Sequence, residues 1–238
     1  MIRCAFTLLA VAPLVVAAPV PKDTERQRIE KLYGKIVDPK GDSKFELDGT
    51  KLKITLPANE VRTFSYTVDP DDPKNSKKYK KINDTPRVEF TAKGDFVLTV
   101  RITAPLNDDA EPARGDEDRP FHCGGLQIYL PDAEWIRYGF GRTRRERGVE
   151  GVLTDDGPRR WVAGGLGSRV PAKDPTADSY IVRATRVGAS VTFEASADGK
   201  NWDPPHSFGG CLTNDELTLT LFAQHASSKA RTVTFSEF

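Results

Sequence analysis

Along most of this chain apolar and polar side chains alternate one for one, the spacing of strands with one buried and one wet face. In residues 96–103, Phe96, Leu98, Val100 and Ile102 share one side, and Thr99, Arg101 and Thr103 the other. Residues 125–130 set Leu126, Ile128 and Leu130 against Gln127 and Tyr129. The pattern predicts further strands over 135–141, 151–154, 217–224 and 232–238. It also predicts two hairpins, 45–47 with 52–56 around Asp48-Gly49, and 180–186 with 190–196 through residues 187–189. Asp198-Gly199 marks the next turn, because both positions tolerate positive φ. About ten short strands broken by Gly, Pro and Asp predict one all-β, antiparallel sandwich or barrel. That domain covers residues 42–238.

The alternation fails in two places ahead of it. Residues 24–33 carry a helix signature: Thr24 as cap, Gln27 as its capping-box partner and Gly34 as the stop. Ile29, Leu32 and Tyr33 form its apolar stripe, and a linker completes residues 19–41. Before that, Arg3 precedes an apolar run over residues 5–16, with Ala17, Ala18 and Pro19 behind it. A charged start, a short apolar stretch and small residues at the cut mark residues 1–18 as a secretory signal peptide. The run is shorter than the roughly 20 residues a membrane span needs. The sequence therefore predicts an exported protein, in the periplasm, at the cell surface or secreted, with no membrane insertion once the signal is removed.

Loss of Arg3 leaves 34 basic against 34 acidic side chains. That balance argues against nucleic acid as a partner. Three charged segments interrupt the strands. Residues 69–81 and 106–120 are Pro-bearing loops, and the basic run RTRRER at 142–147 extends a hairpin. Two cysteines remain in the mature chain, Cys123 and Cys211, which each precede a core strand and are expected to approach one another as a possible disulfide; two buried thiols are the alternative.

Five pieces occur in order: PRVEFTAKGDFVLTV at 86–100, GGLQIYL at 124–130, WIRYGF at 135–140, FEASADGKNW at 193–202 and LTLFAQH at 219–225. Together they resemble the "regulation of enolase" family of concanavalin A-like lectin/glucanase domains, with KIVDPKGDSKF at 35–45 also in keeping. The resemblance implies a two-sheet jelly roll and, by analogy of fold, carbohydrate binding. It assigns no activity.

The residues themselves favour binding over catalysis. No E-x-D-x-E or E-x-D-x-x-E strand occurs, and Glu111, Glu117 and Glu134 are isolated, so the paired carboxylates of a retaining glycosidase are missing from the sequence. Ser168 lacks the second glycine of a nucleophile elbow. His122 and Cys123 are adjacent, and strand alternation points them to opposite faces. His122, His206 and His225 have no metal-ligand spacing, and no metal or cofactor is assigned. Calcium on Asp108, Asp109, Asp116 and Asp118 has only an acidic loop behind it.

Polar and aromatic side chains on the wet faces are the better lead, since sugars stack on aromatic rings and bond to amides and guanidinium groups. The candidate ligand residues are Arg101, Gln127, Tyr129, Trp135, Arg137, Arg183, Glu194 and Gln224, with Arg101, Gln127, Tyr129 and Arg137 expected to converge. Trp202 is read first as a lid over the end of the sandwich and second as a ligand platform. The sequence thus predicts an exported, non-enzymatic, lectin-like module for a glycan or surface polymer. A glycoside hydrolase-like jelly roll and a protein-interaction domain without small ligand are the alternatives.

Overall fold

The computed structural model describes residues 23–62, 64–68, 79–104, 121–129, 135–143, 147–154, 168–171, 178–210 and 212–238. The residues read as a signal peptide, the segment 106–120 with its calcium candidates and isolated glutamates, Glu134 and Cys211 lie outside the described residues. So do the side chains of Trp135 and Ser168.

Helix α1 spans Glu25–Tyr33. Thr24 and Gln27 form the capping box, and Gly34, at φ 103°, ends it. Ile29 and Tyr33 are buried as expected, whereas Leu32 is 53% exposed and belongs to no stripe. Position 32 lies three residues beyond Ile29 but turns off the face that meets the sheet.

Seventeen strands follow among the described residues: β1 Lys35–Val37, β2 Lys44–Asp48, β3 Lys51–Leu56, β4 Glu60–Arg62, β5 Phe64–Val68, β6 Tyr79–Asn83, β7 Arg87–Lys93, β8 Phe96–Thr103, β9 Phe121–Tyr129, β10 Trp135–Thr143, β11 Arg147–Thr154, β12 Ser168–Pro171, β13 Ser179–Val187, β14 Ser190–Ser196, β15 His206–Phe208, β16 Glu216–Ser227 and β17 Arg231–Ser236. Sheet A runs β1-β7-β16-β9-β10-β11-β12, with β4 also paired to β16. Sheet B runs β15-β14-β13-β8-β17-β3-β2, and β5 with β6 makes a separate hairpin. Every pairing is antiparallel. The result is the two-sheet jelly-roll sandwich expected, and its first strand lies inside the segment read as a linker.

Period-two patterning builds the core as anticipated. Leu52, Ile54 and Leu56 of β3, Val100 and Ile102 of β8, and Val233 and Phe235 of β17 are fully buried. Aromatic stacks tie the sheets together: Tyr138 on Phe193 at 5.3 Å and Phe140 on Tyr180 at 4.7 Å between centroids. The basic run does extend a hairpin, with Arg142 paired to Arg147. In the first hairpin Asp48 pairs with Lys51, so Gly49-Thr50 is the turn rather than Asp48-Gly49. Gly49 takes the left-handed φ of 64° there.

The adjacent glycines of β9 have separate reasons. A Cβ on Gly124 would stand 2.3 Å from Val233 Cγ1 of sheet B, while one on Gly125 would stand 2.5 Å from Phe222 Cζ on the opposite face. One glycine lets the sheets approach; the other makes room for a ring.

Candidate functional site

The register of sheet A places its outward side chains in rows. Glu89, Thr220, Gln127 and Arg137 are cross-strand neighbours over β7, β16, β9 and β10. The next row holds Arg87, Phe222, Gly125 and Gly139, and beyond it Gln224 pairs with Cys123. Tyr129 ends β9 on the same face, paired through its backbone with Trp135.

Polar contacts knit this face. Gln224 Oε1 accepts from Arg137 Nη1 at 3.4 Å and lies 3.6 Å from Cys123 Sγ. Gln224 Nε2 donates to Thr85 Oγ1 at 3.4 Å. Arg87 donates to Glu89 Oε1 at 2.8 Å and to Asn83 Oδ1 at 3.1 Å. Asn83 Nδ2 reaches the Tyr129 hydroxyl at 3.5 Å. Burial pushes the Tyr129 phenol up from its ordinary pKa, and the Arg87 charge opposes part of that rise.

Two groups in the centre differ. Gln127 and Thr220 are 0% exposed. The only polar neighbour of the Gln127 carboxamide among the described residues is the Tyr129 hydroxyl, at a geometry short of a normal hydrogen bond, and the Thr220 hydroxyl has no hydrogen-bond partner among them. Buried polar atoms are nearly always bonded, so a neighbouring pair left open points to a missing polar group. Phe222, with Cys123 and Tyr129 packed against it, forms the apolar border.

The expected quartet therefore splits. Gln127, Tyr129, Arg137 and Gln224 share the outer face of sheet A, while Arg101, Arg183 and Glu194 belong to sheet B. Arg101 Nε bonds Glu237 at 2.8 Å. Arg183 pairs with Glu194 at 2.8 Å. The reason is topological: β8, which carries Arg101, pairs with β13 and β17 and not with β9. Gln127 is also buried rather than exposed. Thr220 and Phe222 escaped the sequence reading, although they alternate with Leu219 and Leu221 as Gln224 does.

Trp202 is no lid on the core. Its half-buried ring lies 3.9 Å from Arg183 Cζ, stacked on a guanidinium that Glu194 holds flat. A cation over the indole face is favourable, and it draws the ring to the outer surface of sheet B. The preceding residues form the turn. Ser196 Oγ accepts from the Gly199 N–H at 2.9 Å, and the Asp198 carboxylate accepts from the N–H groups of Lys200 and Asn201 at 2.8 Å each. Those bonds hold the Asp198 carboxyl well below the usual range.

His122 faces the interior and Cys123 the outer face, as alternation requires. His122 and His225 are cross-strand partners. Arg62 of β4 pairs with His225 on the other side, only 2% exposed and bonded to Asp42 and Glu60. Among the described residues no group of three or more His, Cys, Asp or Glu gathers as a metal site. No described helix is long and apolar enough to cross a membrane.

No family model and no curated protein matches the chain. Solved structures do. A functionally unknown protein from Saccharomyces cerevisiae is 15% identical over 82% of this chain and 89% of that one, with a TM-score of 0.56. The CBM2 module of Lactobacillus casei BL23 phage J-1 evolved Dit is 9% identical over 81% and 78%, with a TM-score of 0.50. Identities this low speak for fold alone. Membership of the "regulation of enolase" family is thus not confirmed, whereas the jelly roll it implies is the fold of this chain.

Proposed function

We propose that this chain is an exported, non-enzymatic, lectin-like module that binds a glycan or hydroxyl-rich surface polymer on the outer face of sheet A. The observation that carries the reading is the neighbouring pair of buried, under-bonded polar groups in one row with Arg137: Thr220, with no partner among the described residues, and Gln127, with only a weak contact to the Tyr129 hydroxyl. A sugar hydroxyl donates and accepts at once. It can accept from the Gln127 amide N–H and donate to Thr220 Oγ1, returning to both groups the bonds they lose on burial. Arg137, whose guanidinium also donates to Gln224 Oε1 at 3.4 Å, adds a charged donor in the same row. Tyr129 is half-buried and its hydroxyl is held by a long bond from Asn83 and a weak contact with Gln127, so a sugar that takes over the Gln127 contact frees the ring to stack on its face. The name of one fold relative, a CBM2 module, is in keeping with this use of the scaffold.

The test is a glycan array probed with the chain from Pro19 onward, followed by the Gln127→Leu variant. Leucine fills similar volume without polar atoms. The variant should be as stable as the wild type or more so, by up to about 1 kcal/mol in urea denaturation, because a buried amide with only one weak polar contact is gone. It should bind any array hit at least about tenfold more weakly, the loss of one or two hydrogen bonds. Unchanged binding by Gln127→Leu would remove the site from sheet A. An array without hits would favour the protein-interaction alternative.

A further inference from the structure

The sandwich has two strand edges beside α1. β1 ends sheet A and β2 ends sheet B, and each is paired on one flank only. The helix lies against both. Its charged side chains bond to their backbones. Arg26 Nη2 donates to the Ile36 carbonyl at 3.3 Å, and Glu30 Oε1 accepts from the Ile36 N–H at 3.4 Å. The same two side chains pair with each other at 3.1 Å. On the other edge, Glu25 Oε1 accepts from the Leu47 N–H at 3.0 Å. Side chains of α1 thus do for these edges what a neighbouring strand's backbone would do.

The cap is lightly seated. Only Ile29 and Tyr33 of the helix are buried. A cleft of about 550 Å³, lined in part by Ile29, Ile36, Asp38, Ser43 and Phe45, remains beside the helix. At nine residues α1 is too short to persist away from the sheet.

We propose that α1 is a displaceable cap over a strand-addition surface, and that the partner this surface takes is β1 of a second copy of the chain. Ile36 presents both its N–H and its carbonyl outward, which is the arrangement of a residue that exchanges two bonds with one opposite residue in an antiparallel pair. A two-fold axis through Ile36 lets each copy satisfy the other, joining two A sheets in a closed dimer. In that register Lys35 of one copy faces Val37 of the other, so no like charges meet.

The test is sedimentation equilibrium on the full mature chain and its Ile29→Asp variant, which removes the helix anchor. The variant should reach twice the wild-type mass as concentration rises. Adding Ile36→Pro, which deletes the outward N–H and leaves the β7 ladder intact, should return it to the wild-type mass. A variant that keeps the wild-type mass at every concentration, or a double variant that still associates, overturns the proposal. If Ile29→Asp does not fold, Glu25→Gln/Glu30→Gln keeps both anchors. Amide exchange at Ile36 and Leu47 should then rise roughly five- to tenfold with Val88 unchanged; no rise overturns the cap.

Discussion

His225 is fully buried, opposite His122 on one side and Arg62 on the other. Burial lowers its pKa most, the charges of Arg62 and Arg231 lower it further, and the Pro57 carbonyl and Glu60 oppose them, leaving it at about 4 against an ordinary 6.5. The unfolded chain therefore takes up a proton between pH 6.5 and 4 that the folded chain refuses. Stability from this residue is complete above pH 6.5 and is lost as the pH falls toward 4, by roughly 3 kcal/mol in all. Urea denaturation at a series of pH values should show that slope in the wild type and a much flatter one in His225→Gln. Equal slopes would place the acid sensitivity elsewhere. None of this was legible from the sequence, where His225 is one polar letter in an apolar strand. Its neighbours come from β4, β9 and β17, and only pairing brings them together.

Strands were legible wherever one face meets the core and the other meets water, as in β3, β8 and β17. Some that the sequence reading missed have physical reasons, whereas β5 alternates and was overlooked, and β6 takes in residues 79–81 of a segment read as a loop. β1 and β4 are three residues long, too short to show a period, and β15 is equally short. β7 carries Arg87, Glu89 and Thr91 on one side, but Phe90 and Ala92 are only partly buried, which blurs the contrast. The helix was legible to the residue because its cap and stop are local chemistry. The glycines of β9 are the reverse case, since their cause is a neighbour distant in sequence. Gly124→Ala would drive a methyl into Val233 and Ile102 across the sandwich. It should cost about 1–3 kcal/mol in chemical denaturation, the usual penalty of overpacking. Gly209→Ala meets nothing nearer than Ser190 Oγ at 3.7 Å and should be close to neutral. Equal costs at both sites would mean that the sheets have slack at Gly124.

At the scale of the whole chain, the proposal of export rests on the first eighteen residues and not on the fold. Mass analysis of the protein from its own host should give an N-terminus near Ala18 or Pro19, and an intact Met1 would defeat that reading. The sandwich class was likewise readable in one dimension, because a period of two and the turn residues act within a few positions. Eight candidate ligand residues could be named on the same basis, since alternation says which side chains leave the core. Alternation does not say which sheet a strand joins. Sheet membership depends on which strands pair across long stretches of sequence, so Arg101 and Gln127, each on the outward side of its strand, end on opposite surfaces of the sandwich. Burial is decided at the same level. Gln127 reads as a wet-face residue and lies fully buried, because what covers the outward side of a strand is decided only in the assembled chain. The sequence by itself determined the period, the turns and the helix cap, all short-range chemistry. Only the tertiary structure decided which polar groups share a face and which of them were left without a partner.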